Sequence, residues 1–380
     1  MNIYLDNSAT SWPKPPGVVK AISEYLNEYG ASPGRSGYNF ALRAAREVFE
    51  TRELLASFFN VPSSEKVIFS SNATHAINIA LKGILNKGDH VIISNIEHNS
   101  VYRPLRYLEN EGIIELTTFD FEKFNIEQFK INIKSNTKMV VTAHGSNVTG
   151  NILPIRQIGE ICKTKGIIYL VDAAQTAGLI PIDMLKDNID ILAFTGHKKL
   201  YGPPGIGGLC INGNIAIKPL IQGGTGSKSE MDTQPDFYPD RLEAGTLNTV
   251  GIVGLKAGVQ FILEKGIDHH RNKLFQLTEY FIKQLTEIDG VKIYNFDICN
   301  DRLPIVSMNI KNFIPSDLAC ILDKEYGIMV RAGLHCSPLA HKTAGTFPQG
   351  TVRFSLGSFN TEEEIKYTVD ALKKIVFSEK

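Results

Sequence analysis

Three residues of this chain offer chemistry by type and place: a lysine ending an apolar run, a carboxylate ending an earlier one, and a cysteine between histidines. Ala193–Gly208 reads AFTGHKKLYGPPGIGG. A lysine just past a strand, in a water-poor loop, has its ammonium destabilised and becomes a nucleophilic amine, able to form a Schiff base with an aldehyde. Lys198 and its neighbour Lys199 are the candidates, and Thr195 and His197 could flank a phosphate. A solvated lysine pair is the plain alternative, but so many glycines imply close backbone approach. Asp172 ends the run IIYLV, where an unpartnered carboxylate is costly to bury. It either holds a protonated ring nitrogen or caps the next helix, with Gln175 one turn further on.

Four further segments fall at comparable places. In VIFSSNATHAINI (Val67–Ile79) a strand, a small polar turn and an amphipathic helix follow one another. Free N–H groups around Ala73 and Thr74 at such a helix start suit a phosphate, although an ordinary N-cap reads the same way. His98 follows the strand VIIS in NIEHNS and Asn147 follows MVVTAHGS. An imidazole there either stacks on an aromatic ligand and shuttles a proton or only caps a helix. Cys336 lies in RAGLHCSPLAH, and the neighbouring His335, His341 and Arg331 are expected to favour its thiolate. His335, Cys336 and His341 stand too close together for ordinary zinc spacing, so no metal is expected. Arg353, in TVRFSLG, either takes a substrate carboxylate bidentately or forms a structural salt bridge.

Positioning these groups requires short strands alternating with helices. Strands are predicted at Lys66–Ser70, His90–Ser94, Ile113–Thr118, Lys138–Ala143, Gly166–Asp172, Ile189–Thr195 and Gly207–Ile211, with helices at Thr74–Leu85, Val101–Asn110 and Ile155–Lys165 between several of them. That alternation is the signature of an α/β fold with a mostly parallel sheet, in which ligands sit beyond the carboxyl ends of strands. After Thr246 come two helical patterns, Thr249–Glu264 and His270–Ile288. Short strands follow near Val291–Tyr294, Ile305–Ile310, Met329–Arg331 and Thr351–Ser355, with helices near Pro315–Asp323 and from Thr361. This second part reads as a smaller α+β unit. The irregular stretch Gln222–Ala244 is long enough for a functional loop.

The 380 residues suggest about two structural units. With 40 basic against 40 acidic residues the chain has no global field to attract nucleic acid or anionic membrane. Its charge-free runs are broken by Gly, Pro, His and Asn, so no spanning helix is expected. MNIYLDNSAT has neither a basic start nor an apolar core, so no secretory signal is expected. Cys162, Cys210, Cys299, Cys320 and Cys336 are scattered and odd in number, which points to a reducing cytoplasm.

Taken together, the chain resembles the class V aminotransferase family, and within it the cysteine desulfurase and selenocysteine lyase branch. The resemblance rests on YLDNSAT, SNATHAIN, EHNS, SNVTG, VDAAQ, TGHK with YGPPGIG, EAGTLNT, R-x-G-x-HC-x-P and VRFSLG, in order along almost the whole chain. It implies a fold-type I enzyme using pyridoxal 5′-phosphate, usually a homodimer, with a large cofactor-binding domain at residues 15–265. The small domain would join 1–14 to 266–380 and carry the Cys336 loop. Lys198 would bond the cofactor aldehyde, Asp172 would pair with its ring nitrogen, and His98 would stack on the ring. Asn147 and Gln175 would bond the ring face or its phenolic oxygen, and Asn147 would also touch substrate. Ala73, Thr74, Thr195 and His197 would hold the phosphate, with Thr246 reaching in from the partner subunit. Two departures stand out. His75 follows Ala73-Thr74 where related desulfurases carry Glu, and Ser32–Tyr38 lacks histidines found in some relatives.

On this resemblance L-cysteine is converted to L-alanine. Lys198 would remove the Cα proton, Arg353 would bind the substrate carboxylate, His98 would return a proton, and Cys336 would take the sulfur as a persulfide. The sulfur would then pass to an acceptor protein or small thiol. A selenocysteine lyase acting on L-selenocysteine is the alternative within the fold. A non-catalytic cofactor-bearing scaffold and a metal or thiol sensor built on His335, Cys336 and His341 are the alternatives outside enzymology. An aminotransferase or a kynureninase-like hydrolase needs no thiol in that loop.

Overall fold

The computed structural model describes residues 2–34, 37–121, 125–294 and 302–378; Cys299 lies outside them. Its central element is a seven-stranded sheet built from β2 (Val67–Ser70), β3 (Asp89–Ser94), β4 (Ile114–Phe119), β5 (Thr137–Ala143), β6 (Ile168–Asp172), β7 (Ile191–Thr195) and β8 (Gly207–Ile211), after a short β1 (Ile3–Tyr4). The strand order is β2-β8-β7-β6-β5-β3-β4. Strands β4, β3, β5, β6 and β7 run parallel, while β8 is antiparallel to both β7 and β2. The inner strands β6, β7 and β8 read as largely apolar, buried runs because both faces are covered, whereas the edge strand β4 (IELTTF) is part exposed. Val140, Val171 and Phe194 join the core on one face, and their neighbours Val141, Leu170 and Ala193 join the core on the other, as a two-residue side-chain period dictates.

Helices supply that cover: α1 (Pro16–Glu24), α2 (Asn39–Phe59), α3 (Ala73–Ile84), α4 (Asn99–Asn110), α5 (Ile126–Ile131), α6 (Ile155–Lys165) and α7 (Thr249–Lys265). Helix α2 presents Ala41, Ala44, Val48, Thr51, Leu55 and Phe59 as one buried stripe, spaced three or four residues apart. The stretch between β8 and α7 has no regular element. It is anchored to the sheet edge at Glu243, whose carboxylate is paired with buried Arg52 and accepts from Phe69 N–H.

After Gly266, whose φ of +85° suits glycine, the chain enters α8 (Ile267–Thr286). There follow β9 (Val291–Ile293), β10 (Ile305–Ile310), α9 (Pro315–Tyr326), β11 (Ile328–Met329), β12 (Arg331–Gly333), α10 (Pro338–Thr343), β13 (Thr351–Ser355) and α11 (Glu362–Ser378). Strands β12-β13-β10-β9 form an antiparallel sheet, and β1 pairs in parallel with β11. The single strand expected at Met329–Arg331 is therefore two, divided at Val330, because its halves pair with different partners. Ile3 and Leu5 pack with Phe281, Met308, Leu322, Phe354 and Leu372 in a separate core. Among the described residues no helix is long and apolar enough to cross a membrane.

Candidate active site

A cavity of about 280 Å³ lies where the carboxyl ends of β5, β6 and β7 meet the N-termini of α3 and α4. Strand β3 pairs with β4 on one side and β5 on the other, so the cavity sits at the reversal of strand order, where open α/β sheets bind ligands. Ala73, Thr74, His98, Asn147, Asp172, Gln175, Thr195, His197 and Lys198 all line it.

One wall gathers free polar groups at a helix start, an arrangement that suits an anion. Asn72 caps α3 by accepting from His75 N–H at 2.9 Å, and Ala73 and Thr74 form the first turn, whose N–H groups have no intrahelical acceptor. Thr195 Oγ1 and His197 Nδ1 are buried here without a hydrogen-bond partner, a state that costs about 1–3 kcal/mol per group until a ligand satisfies it. Strand β8 can press against this turn because Gly207 lacks a side chain. A Cβ there would sit 2.6 Å from Phe194 O and 2.8 Å from Asn72 Cα. His75 is turned aside, its Nδ1 lying 3.2 Å from Ser71 Oγ.

The lysine turn is gripped from the N-terminal segment. His197 O receives Ser11 N–H (3.0 Å), Thr10 Oγ1 (3.1 Å), Ser11 Oγ (3.2 Å) and Lys14 Nζ (2.9 Å). Burial pulls the Lys198 ammonium down to about 8; the Asp172 carboxylate opposes this, and Arg353 and Arg331 reinforce it. Lys199 is pulled further, to about 7, mainly by burial. The larger shift does not make it the nucleophile: Lys199 is 3% exposed, and its Nζ donates to Leu356 O at 2.7 Å, whereas Lys198 stands on the cavity wall.

Asp172 caps the next turn and still faces the cavity. Its Oδ1 accepts Ala174 N–H at 2.9 Å, while the carboxylate takes Ser100 Oγ at 3.4 Å. Burial raises its pKa. Gln175 donates from Nε2 to Ser8 O at 3.1 Å, leaving Oε1 buried and unpartnered. His98 caps α4, its Nδ1 accepting Ser100 N–H at 3.0 Å, so the ring proton belongs on Nε2. Burial, aided by Lys198 and nearby arginines, lowers its pKa to about 3, so the ring is neutral at ordinary pH.

Glu97 was not singled out from the sequence. It is fully buried, takes Ala143 N–H on both oxygens (2.8 and 3.0 Å) and Ser94 Oγ on one, and burial raises it to about 8. It ties the end of β5 to the end of β3 beneath the cavity. The only sequence signal was an acid beside His98 after a strand.

Cys336 is exposed and lines a groove that shares Thr74, His98 and Ser100 with the cavity. His335 and Cys336 have φ of 48° and 60°, a left-handed conformation costing non-glycine residues about 1–2 kcal/mol each. Three hydrogen bonds hold it. Asn147 Nδ2 donates to His335 O (2.7 Å), Ser337 Oγ donates to Asn147 Oδ1 (2.6 Å), and Asn99 N–H donates to Cys336 O (2.8 Å). The Asn147 amide, expected to meet a ring, is thus engaged by the residues flanking Cys336.

The imidazole support expected for the thiolate is absent. Burial keeps His335 well below its usual pKa and His341 at about 4, so both are neutral. They face Thr351 and Thr346. Positive charge comes instead from Arg331, whose Nη2 lies 3.7 Å from Cys336 Sγ, with Lys198 and Arg353 also interacting with the thiol through their charge. Among the described residues no group of His, Cys, Asp or Glu is placed to hold a metal ion.

Arg353 is 1% exposed and is not on the cavity wall. It donates to Asp6 Oδ1 (2.7 Å) and Asn147 O (3.1 Å), while its Nε is buried without a partner. Thr246 lies apart, in a second cavity of about 220 Å³ with Ser71, His75 and Glu243.

This combination of fold and site defines a family: the chain belongs to the class-V aminotransferases, whose family model matches residues 3–368. Among its relatives is a protein of Methanothermobacter thermautotrophicus named "Probable cysteine desulfurase", 36% identical over 98% of this chain and 94% of the relative. The apo structure of a cysteine desulfurase from Thermococcus onnurineus is 31% identical and superposes with a TM-score of 0.92 over 99% of this chain and 95% of the other. The structure of the Escherichia coli cysteine desulfurase CsdA in an S-sulfonic acid form is 26% identical, with a TM-score of 0.88 over 100% of this chain and 95% of that one.

Proposed function

We propose that this chain is a pyridoxal 5′-phosphate-dependent cysteine desulfurase, converting L-cysteine to L-alanine and carrying the sulfur on Cys336. The observation that carries the reading is the juxtaposition of Lys198 and Asp172 on one cavity wall with a cysteine loop opening onto the same cavity's mouth. The cavity's unsatisfied groups suit the cofactor. Thr195 Oγ1, His197 Nδ1 and the start of α3 would hold its phosphate, Asp172 its ring nitrogen, Lys198 its aldehyde carbon, and His98 its ring face. When bound, the cofactor supplies an electron sink for charge developing at the substrate Cα.

The protein's own groups do the rest. The Lys198 amine, pulled to about 8, accepts the proton from the substrate Cα near neutral pH. Cys336 thiolate attacks the substrate sulfur: the Sγ–S bond forms as the substrate C–S bond breaks, and the electron pair stays with carbon. Neutral His98 can donate its Nε2 proton to the carbon fragment, which leaves as alanine. Arg353, held by Asp6 and Asn147 O behind the cavity wall, would meet a substrate carboxylate through its unpartnered Nε only once its cover parts. The sulfur then passes to an acceptor thiol or protein.

The same reading makes the enzyme a homodimer. Val19, Leu26, Phe40, Leu42 and Phe49 present exposed apolar surface along α1, α2 and the helical turn Tyr25–Tyr29 between them, and Thr246, off the Lys198 cavity, would reach into the partner subunit's site. It assigns residues 15–265 to the large domain and 1–14 with 266–380 to the small one; in support, one core draws mainly on the first span and another mainly on the second, with Ala340 and Leu179 crossing between them. It places the enzyme in the cytoplasm, in keeping with free thiols at Cys162, Cys210, Cys320 and Cys336.

The test is substitution of Cys336 by Ala. The variant should keep the cofactor's near-visible absorbance and lose sulfide release from L-cysteine. Full retention of that activity would refute the reading, and parallel rates on L-selenocysteine would separate a desulfurase from a selenocysteine lyase.

A further inference from the structure

Beyond the cavity, a groove of about 440 Å³ runs outward between α3 and α4. Thr74, Asn78 and Lys82 form one wall and Asn99, Arg103 and Tyr107 the other, each set at four-residue spacing along its helix. At 1.5 Å rise per residue each stripe is about 12 Å long, enough for roughly three or four residues of extended chain. Cys336 closes the inner end, its carbonyl bound to Asn99 N–H at the start of α4.

The charge of this groove is one-sided. Lys82 and Arg103 are exposed, and no carboxylate lines the groove with them. Among the described residues neither makes an ion pair, whereas Arg106 on the same helix is paired with Glu109. Two uncompensated cations, Arg103 midway along the groove and Lys82 at its outer end, and Arg331 beside the thiol leave a positive track leading to Sγ.

We propose that this groove docks the sulfur acceptor, and that it takes an extended, carboxylate-bearing segment of a partner protein presenting its own thiol to Cys336. The inference rests on the reading of Cys336 as sulfur carrier and adds the acceptor's chemistry. The acceptor thiolate attacks the outer sulfur of the Cys336 persulfide. The new S–S bond forms, the Sγ–S bond breaks, the electron pair returns to Sγ as thiolate beside Arg331, and the proton remains on the transferred sulfur. The exchange needs no outside oxidant or reductant.

The experiment loads the holoenzyme with L-cysteine, removes the excess and follows persulfide discharge to three peptides: acetyl-Glu-Cys-Glu-amide, acetyl-Gln-Cys-Gln-amide and acetyl-Lys-Cys-Lys-amide, with 3-mercaptopropionate as a small anionic thiol. The native protein should favour the glutamate peptide over the lysine peptide by about tenfold at low salt, with the margin shrinking as salt rises. Lys82→Glu with Arg103→Glu should reverse the order, and the milder Lys82→Gln with Arg103→Gln should abolish it. First-turnover alanine should change far less than the discharge preference, since Arg103 touches the chemistry only as a minor charge on His98. Equal discharge to the three peptides, or a preference surviving both double variants, would overturn the proposal while leaving the desulfurase reading intact. A preference as large for 3-mercaptopropionate as for the glutamate peptide would overturn the protein-segment part. A holoenzyme on which no persulfide forms at Cys336 would overturn both readings.

Discussion

Arg331 Nη2 stands 3.7 Å from Cys336 Sγ, within hydrogen-bond reach of the thiol. The two neighbouring imidazoles are neutral and turned to threonines. A partly exposed charge pair at this separation contributes about 1 kcal/mol, or about fivefold in rate. Arg331→Ala should therefore slow Cys336 alkylation by iodoacetamide about fivefold, Arg331→Lys should recover most of the loss, and added salt should narrow the gap. An unchanged rate in Arg331→Ala would show that the guanidinium does not hold the thiolate.

Ser337 acts on Cys336 through Asn147. Removing its hydroxyl leaves Asn147 Oδ1 buried without its donor, at about 1–3 kcal/mol, and frees one side of the loop that holds two left-handed residues. Ser337→Ala should lower kcat on L-cysteine about tenfold while KM and cofactor absorbance stay near native values, and Ser337→Thr should restore kcat. A fall in melting temperature with native kcat would assign Ser337 to structure alone.

The buried amine of Lys198 carries a stability signature. Its folded pKa, about 8, lies below the ordinary lysine value of 10.5. Between those pH values the unfolded chain binds a proton that the folded chain does not, so stability rises with pH across the window and the burden is greatest below pH 8. Lys198→Met apoprotein should then be more stable than native apoprotein at pH 7 by about 1–3 kcal/mol, with the gain gone above pH 10.5. Denaturant titrations at several pH values would show it, and a gain independent of pH would contradict the lowered pKa.

Much of the site was legible because it is local. Thr74, His98, Asp172 and Thr195–Lys198 each follow a short β-branched run, and the alternation of runs and helices places every such end on one sheet edge. What was not legible depends on distant pairing. The Asn147 amide meets residues about 190 positions away, and four donors from Thr10, Ser11 and Lys14 converge on His197 O. No spacing rule encodes either. The division of β11 from β12 likewise follows from β1 and β13 competing for adjacent residues. Helix α2 has a regular apolar stripe, but it lies in a region where no chemistry drew attention. The expectation of charged histidines beside Cys336 failed because sequence proximity says nothing of burial, and burial made both neutral.

The central claim is that sulfur leaves L-cysteine for the thiol of Cys336. Holoenzyme mixed with a single equivalent of L-cysteine, quenched with iodoacetamide and mapped by mass spectrometry should carry an added sulfur on the peptide containing Cys336. Cys162 and Cys210 should stay unmodified, since burial raises both thiols, and alanine should appear in equal amount. Alanine formed while the Cys336 peptide remains unmodified would contradict the account.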